Sequence, residues 1–165
     1  FWWFCDDYLE LVKTRAYDAD EFAMSARVAL QRALSAMQRL FAPHIPFATE
    51  EVWGWWQSGS IHQASWPTTN DVLSGCALTD NFDQLLDATC TVISAIRRTK
   101  TEAKVTQKSV VEHVSVSATT EQIALLKLTL TDVTNAGVAQ VIEFSPHDAE
   151  YIATTARLAP ISDTN

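Results

Sequence analysis

From Ala23 to Phe41 the apolar residues Ala23, Ala26, Leu30, Ala33, Leu34, Met37, Leu40 and Phe41 recur at three- and four-residue steps. This is the period of an α-helix with one apolar side, sustained for about five turns. Its many alanines predict the close approach of a neighbouring helix. Pro43 and Pro46 interrupt the pattern, and Pro46 suits the first position of a further helix because its missing N–H is an unpaired donor there anyway. The segment 42–46 therefore predicts a corner between two helices, the second with Ala48, Val52, Trp55 and Trp56 on its buried side and ending at Ser58-Gly59-Ser60.

The same period is found on both sides of this pair. Phe1, Phe4, Cys5, Tyr8 and Val12 share a face of a helix over 1–16, which is expected to continue one begun upstream, so that the chain reads as a piece of a longer protein. Asp18 and Glu21 have capping-box spacing ahead of the long helix. After a loop running to about residue 79, Phe82, Leu85, Leu86, Thr89, Val92, Ile93 and Ile96 predict another helix, continued by Arg97, Lys100 and Lys104 as a basic stripe. The period then falls to two over 112–117 and 140–144, with helical spacing at Ile123, Leu126, Leu130 and Val133 between them. Strand, helix and strand at this separation predict a parallel pair covered by the bundle. The expected class is mainly α: a helical bundle over 1–108, a small strand-helix-strand α/β element over 109–145 and a C-terminal tail over 146–165.

Charge and motif content limit the chemistry. The 165 residues carry a net charge of −8, but Arg97, Arg98, Lys100, Lys104 and Lys108 face only Glu102, leaving 97–108 at +4 and the rest at −12. A concentrated basic stretch is what phosphate binding requires, although most charge runs are solvated helix faces. Lys13 and Arg15, at the end of the first helix, are further candidates, though cations suit a helix C-terminus whether or not RNA is present. The four glycines form no P-loop or GxGxxG cradle, so no nucleotide cofactor is expected in this chain. Cys5, Cys76 and Cys90 are odd in number and lack metal-ligand spacing, which argues against a metal site and fits a reducing cytoplasm. No apolar run approaches a membrane-spanning length. His44 and His62 have no triad context, and Glu50 and Glu51 read as partners of a helix N-terminus, so no catalytic residue is expected. Trp53, Trp55 and Trp56 read as core in preference to base-stacking residues.

Three stretches together resemble the valyl-tRNA synthetases: Phe4 to Lys13 (FCDDYLELVK), Leu40 to Trp53 (LFAPHIPFATEEVW) and Gly59 to Pro67 (GSIHQASWP). The middle one is shared with the isoleucyl, leucyl and methionyl relatives among class I synthetases. A weaker fourth stretch, Ile96 to Val105 (IRRTKTEAKV), resembles the basic helix end that follows the bundle in the valyl and isoleucyl families. The resemblance covers about residues 1 to 116. It implies a bundle of the class I synthetase anticodon-binding type, with valine-specific tRNA and the synthetase's own catalytic domain as partners and no DNA. Valine activation by ATP and Mg would then take place in the catalytic domain. On that reading the basic residues singled out above, Lys13, Arg15, Arg97, Arg98, Lys100, Lys104 and Lys108, are the candidate RNA contacts. Two alternatives stand beside it: a docking scaffold with little RNA contact, and the same region of an isoleucyl enzyme.

Overall fold

The computed structural model describes residues 3–19, 21–76 and 81–160, without the side chain of residue 21. Two compact units emerge: residues 18–76 form one, and the chain up to Tyr17 joins residues 81–160 in the other. The boundary expected at residue 108 falls inside the second unit. The reason is that the helix preceding it packs its apolar face on the α/β element.

In the unit of residues 18–76, α2 (Glu21–Phe41) turns through the expected corner into α3 (Pro46–Gly54). The Asp18/Glu21 capping box involves a side chain outside the described residues. Thr49, in α3, is buried and donates its hydroxyl to Ile45 O and Pro46 O, which ties the corner to the helix. The small core is Ala42, Trp53 and Ile61 with Trp56 against them, and the Trp56 indole donates to Gln38 Oε1 at 3.0 Å. The buried side of α2 toward this layer thus runs through Gln38 and Ala42. Leu34, Leu40 and Phe41, expected inside, are substantially exposed.

Two further expectations change in α3. Ala48 and Trp55 lie outside, Trp55 being 72% exposed, because Thr49 and Trp53 face the core. Glu50 is no helix-dipole partner: its Oε2 accepts from Ser60 Oγ and Ile61 N, both at 3.0 Å, fastening a 3-10 turn at Ile61–Gln63. The loop beyond is also more ordered than its composition suggests. It holds α4 (Thr69–Leu73), started by a capping box in which Thr68 and Asp71 satisfy each other's backbone N–H groups. Arg39 reaches this helix at Asp71 Oδ2 (3.1 Å) and the loop before it at Ser65 O (3.2 Å), while Arg32 donates to Val72 O and Ser74 O. The Thr68 backbone bond, followed by Arg39, holds the Asp71 carboxyl below its usual range.

The other unit begins with a π-helical turn, Phe4–Tyr8, running into α1 (Leu9–Tyr17), whose Leu11 and Val12 are buried. α5 (Phe82–Glu102) buries Ala88, Thr89, Val92, Ile93, Ile96 and Lys100 at helical spacing. β1 (Val111–Ala118) and β2 (Ala139–Pro146) pair in parallel as expected. The crossover is two helices, α6 (Thr120–Leu128) and α7 (Leu130–Gly137), separated at Thr129, whose hydroxyl lies 2.9 Å from that of Thr89. Within the expected tail, Ala153–Leu158 forms β3, antiparallel to β1, giving the order β2-β1-β3. An edge strand whose side chains are half-buried or exposed has little apolar alternation to announce it. Val114, Val116 and Ala118 are fully buried, while α5, α6 and α7 all contact the edge strands or one another.

Candidate nucleic-acid interface

The candidate cations divide into those engaged by the fold and those left at its surface. Arg97, near the end of α5, donates to Asp6 O at 2.6 Å and approaches Asp7 Oδ1 at 3.6 Å and Glu10 Oε2 at 3.9 Å. Its guanidinium thereby fastens the first helical segment to α5. Glu10 also pairs with Lys13 one turn further along α1. Arg15 lies 3.2 Å from Asp132 Oδ2 at the start of α7, and its Nε is buried without a hydrogen-bond partner among the described residues. Burial pushes the Asp132 carboxyl up, and the Arg15 charge opposes it.

Lys100 is the main correction. It was expected on a basic stripe facing phosphate, but it is 1% exposed and donates through Nζ to Gln107 O and Gly137 O, each at 2.8 Å. Burial, then the nearby Arg97 charge, lowers its proton affinity. Nor does Lys104 extend the stripe, because α5 ends at Glu102. Val105 N bonds back to Lys100 O (3.1 Å) and Lys104 N to Thr101 O (3.0 Å), the two bonds of a Schellman closure. Lys104 occupies its left-handed position with φ 55, where glycine is the usual residue.

What remains at the surface is Arg98, Lys104 and Lys108. Arg98 is 81% exposed and hydrogen-bonded at 2.8 Å to Glu102, so its charge is partly answered. Lys104 and Lys108, both exposed, have no ion pair among the described residues and lie on the connection from α5 to β1. A non-glycine residue in this backbone region costs stability, and a strained position carrying an unanswered charge is a functional candidate. Lys104→Gly is expected to raise unfolding stability by about 0.5–1 kcal/mol, read from urea denaturation. A decrease would mean that Lys104 is not strained in solution.

Sequence reasoning missed the internal role of Lys100 and the clamping by Arg32 and Arg39, since Gly137, Val72, Ser74, Ser65 and Asp71, which these cations reach, lie far from them in the chain. It also missed the exposure of Phe47 (90%), in the first turn of α3, and of Trp55, just after its end, with Glu51 between them accepting from the Trp55 indole at 3.3 Å. The i, i+4, i+8 spacing of Phe47, Glu51 and Trp55 was the available signal. Among the described residues, no group of three or more His, Cys, Asp or Glu side chains is placed to hold a metal ion, and no helix is long and apolar enough to cross a membrane.

Residues 1–116 match the family model described as the anticodon-binding domain of tRNA ligase. The valine–tRNA ligase of Thermobifida fusca (strain YX) is 42% identical over 161 residues, which is 97% of this chain and 18% of that protein. That of Cutibacterium acnes is 42% identical over 148 residues, 87% of this chain and 16% of that protein. The Salinispora tropica enzyme is 41% identical over 166 residues, covering 90% of this chain and 19% of its own length. The chain thus spans less than a fifth of the length of these relatives, and the first alignment extends well beyond residue 116 into the α/β element.

Proposed function

We propose, since the chain belongs to the anticodon-binding domain family of tRNA ligases, that it is the region of a valine–tRNA ligase that holds the anticodon arm of tRNA while the chemistry takes place elsewhere. The observation that carries this reading is the 42% identity to a valine–tRNA ligase along 97% of the chain. Lys104 and Lys108, without an ion pair among the described residues, support the reading, since they offer charge to phosphate from an otherwise acidic chain. On this reading ATP and Mg serve the catalytic domain, which docks with this region, and the protein works in the cytoplasm.

The test is binding of the chain to fluorescently labelled valine tRNA at low salt, against isoleucine tRNA and a valine tRNA with altered anticodon bases. Tightest binding to the unaltered valine tRNA, weakening steeply with salt, is the expected result. Binding no tighter than that of an acidic control protein would overturn the reading. A second reading, a docking scaffold for the rest of the ligase, is favoured by one observation: Ile45, Phe47 and Trp55 are all more than half exposed. Apolar side chains this exposed suit a protein–protein contact. Reduced docking by Phe47→Ser with tRNA affinity unchanged would support it.

A further inference from the structure

The buried ammonium of Lys100 has no carboxylate partner among the described residues and is held by carbonyls. An apolar side chain of similar length would occupy the space without the cost of burying a charge. The ammonium does what such a side chain cannot, tying two segments to α5 by hydrogen bonds. One is the end of α7, at Gly137 O. That end comes close to α5 because Gly137 has no side chain: a Cβ there would stand 3.1 Å from Ile96 Cδ1. The other is the connection at Gln107 O, one residue before Lys108 and three after Lys104.

The rest of the connection folds back on the same helix end. The Gln107 side chain donates to Thr101 Oγ1 at 3.3 Å, and Ser109 N donates to Thr106 O at 3.0 Å. Lys100 O itself accepts from Val105 N in the closure that sets the backbone of Lys104. Lys100 is thus bonded through both its carbonyl and its ammonium to the segment bearing Lys104 and Lys108, two surface cations without an ion pair among the described residues.

We propose that Lys100 is a positioning residue for RNA binding, holding the 103–109 connection in the shape that presents Lys104 and Lys108 to tRNA phosphates without touching RNA itself. The inference rests on the function proposed above. It is tested in the chain with Lys100→Met, which keeps the bulk and removes the ammonium. The dissociation constant for valine tRNA is expected to rise on the order of tenfold at low salt, although both surface lysines remain. In a Lys104→Gln, Lys108→Gln background the same change is expected to have almost no effect, because coupled residues are not additive. Without RNA, tryptic cleavage after Lys104 and Lys108 should accelerate on the order of tenfold as the connection opens. Faster cleavage with unchanged tRNA affinity would overturn the proposal and leave the function standing. A wild-type chain that binds no tRNA would overturn the function and, with it, the role given to Lys100. Should Lys100→Met not fold, amide exchange of the wild-type chain decides: protection of residues 105 and 109 beyond that of a free loop supports the clamp, and free-loop rates overturn it.

Discussion

Arg15→Met is expected to destabilise the chain by about 2 kcal/mol at neutral pH, with the deficit shrinking as the pH falls. Arg15 is 3.2 Å from Asp132, whose side chain is only 10% exposed. Removing the guanidinium leaves a carboxylate largely out of water and without its counter-charge. Breaking a fully buried pair costs roughly 3–5 kcal/mol, and the lower figure here allows for Arg15 being 28% exposed. The pH dependence follows from the direction of the Asp132 shift. Burial raises this carboxyl above its unfolded value of 3.8, and Arg15 is what lowers it. Without Arg15 the folded carboxyl rises further, so the folded variant takes up a proton more readily than the unfolded chain does. The penalty is therefore complete at neutral pH and is relieved as the pH falls through the variant's folded value. Urea denaturation of both proteins at pH 7 and at about pH 4.5 reads it. Equal deficits at the two pH values would show that the ion pair is not the cause. Asp132→Asn should recover most of the loss in the Arg15→Met background. Arg15 therefore acts through the fold, and its loss should have little effect on tRNA affinity wherever the variant remains folded.

The contrast between Arg15 and Lys104 shows what the sequence could disclose. Helical period placed α2, α3 and α5, and the change to a period of two placed β1 and β2, because these patterns record which side of an element is buried. They do not say what buries it. On α2 the apolar stripe was legible, yet the layer within its unit settled on Gln38 and Ala42, leaving Leu34 and Phe41 partly in solvent. Lys100 shared the helical spacing of Ile93 and Ile96 and sits on their buried side, but a lysine in such a position reads as a surface charge. Only two carbonyls, one of them 37 residues away, make its burial tolerable. Arg97 and Asp6 are 91 residues apart, so one of the cations read as available to phosphate is already engaged. The left-handed backbone at Lys104 was equally hidden, because glycine is the residue that advertises it. The capping box at Thr68 and Asp71 was legible in principle, with Asp in place of the commoner Glu.

Lys104→Gln with Lys108→Gln is expected to weaken binding of valine tRNA by roughly 10- to 100-fold at low salt and to flatten its salt dependence. Each phosphate neutralised by a cation releases counterions, contributing a slope in log–log form of about −0.9 on duplex DNA and about −0.7 on a single strand. Two lost contacts should therefore reduce the magnitude of the slope by roughly 1.5. Among the candidate cations at the end of α5 the expectation falls on these two because neither has an ion pair among the described residues, whereas Arg98 would first have to leave Glu102. The net charge of −8 sharpens the effect, since the acidic remainder of the chain repels RNA. Arg97→Gln is the informative control: its charge is spent on Asp6, Asp7 and Glu10, so its loss should lower stability and leave the slope nearly unchanged. Lys104→Gly supplies the complementary control. It removes the charge while relieving the backbone, so tRNA affinity should fall as the chain becomes more stable. If the double variant keeps the wild-type slope, phosphate is met elsewhere, and the connection after α5 is a helix stop with two solvated lysines.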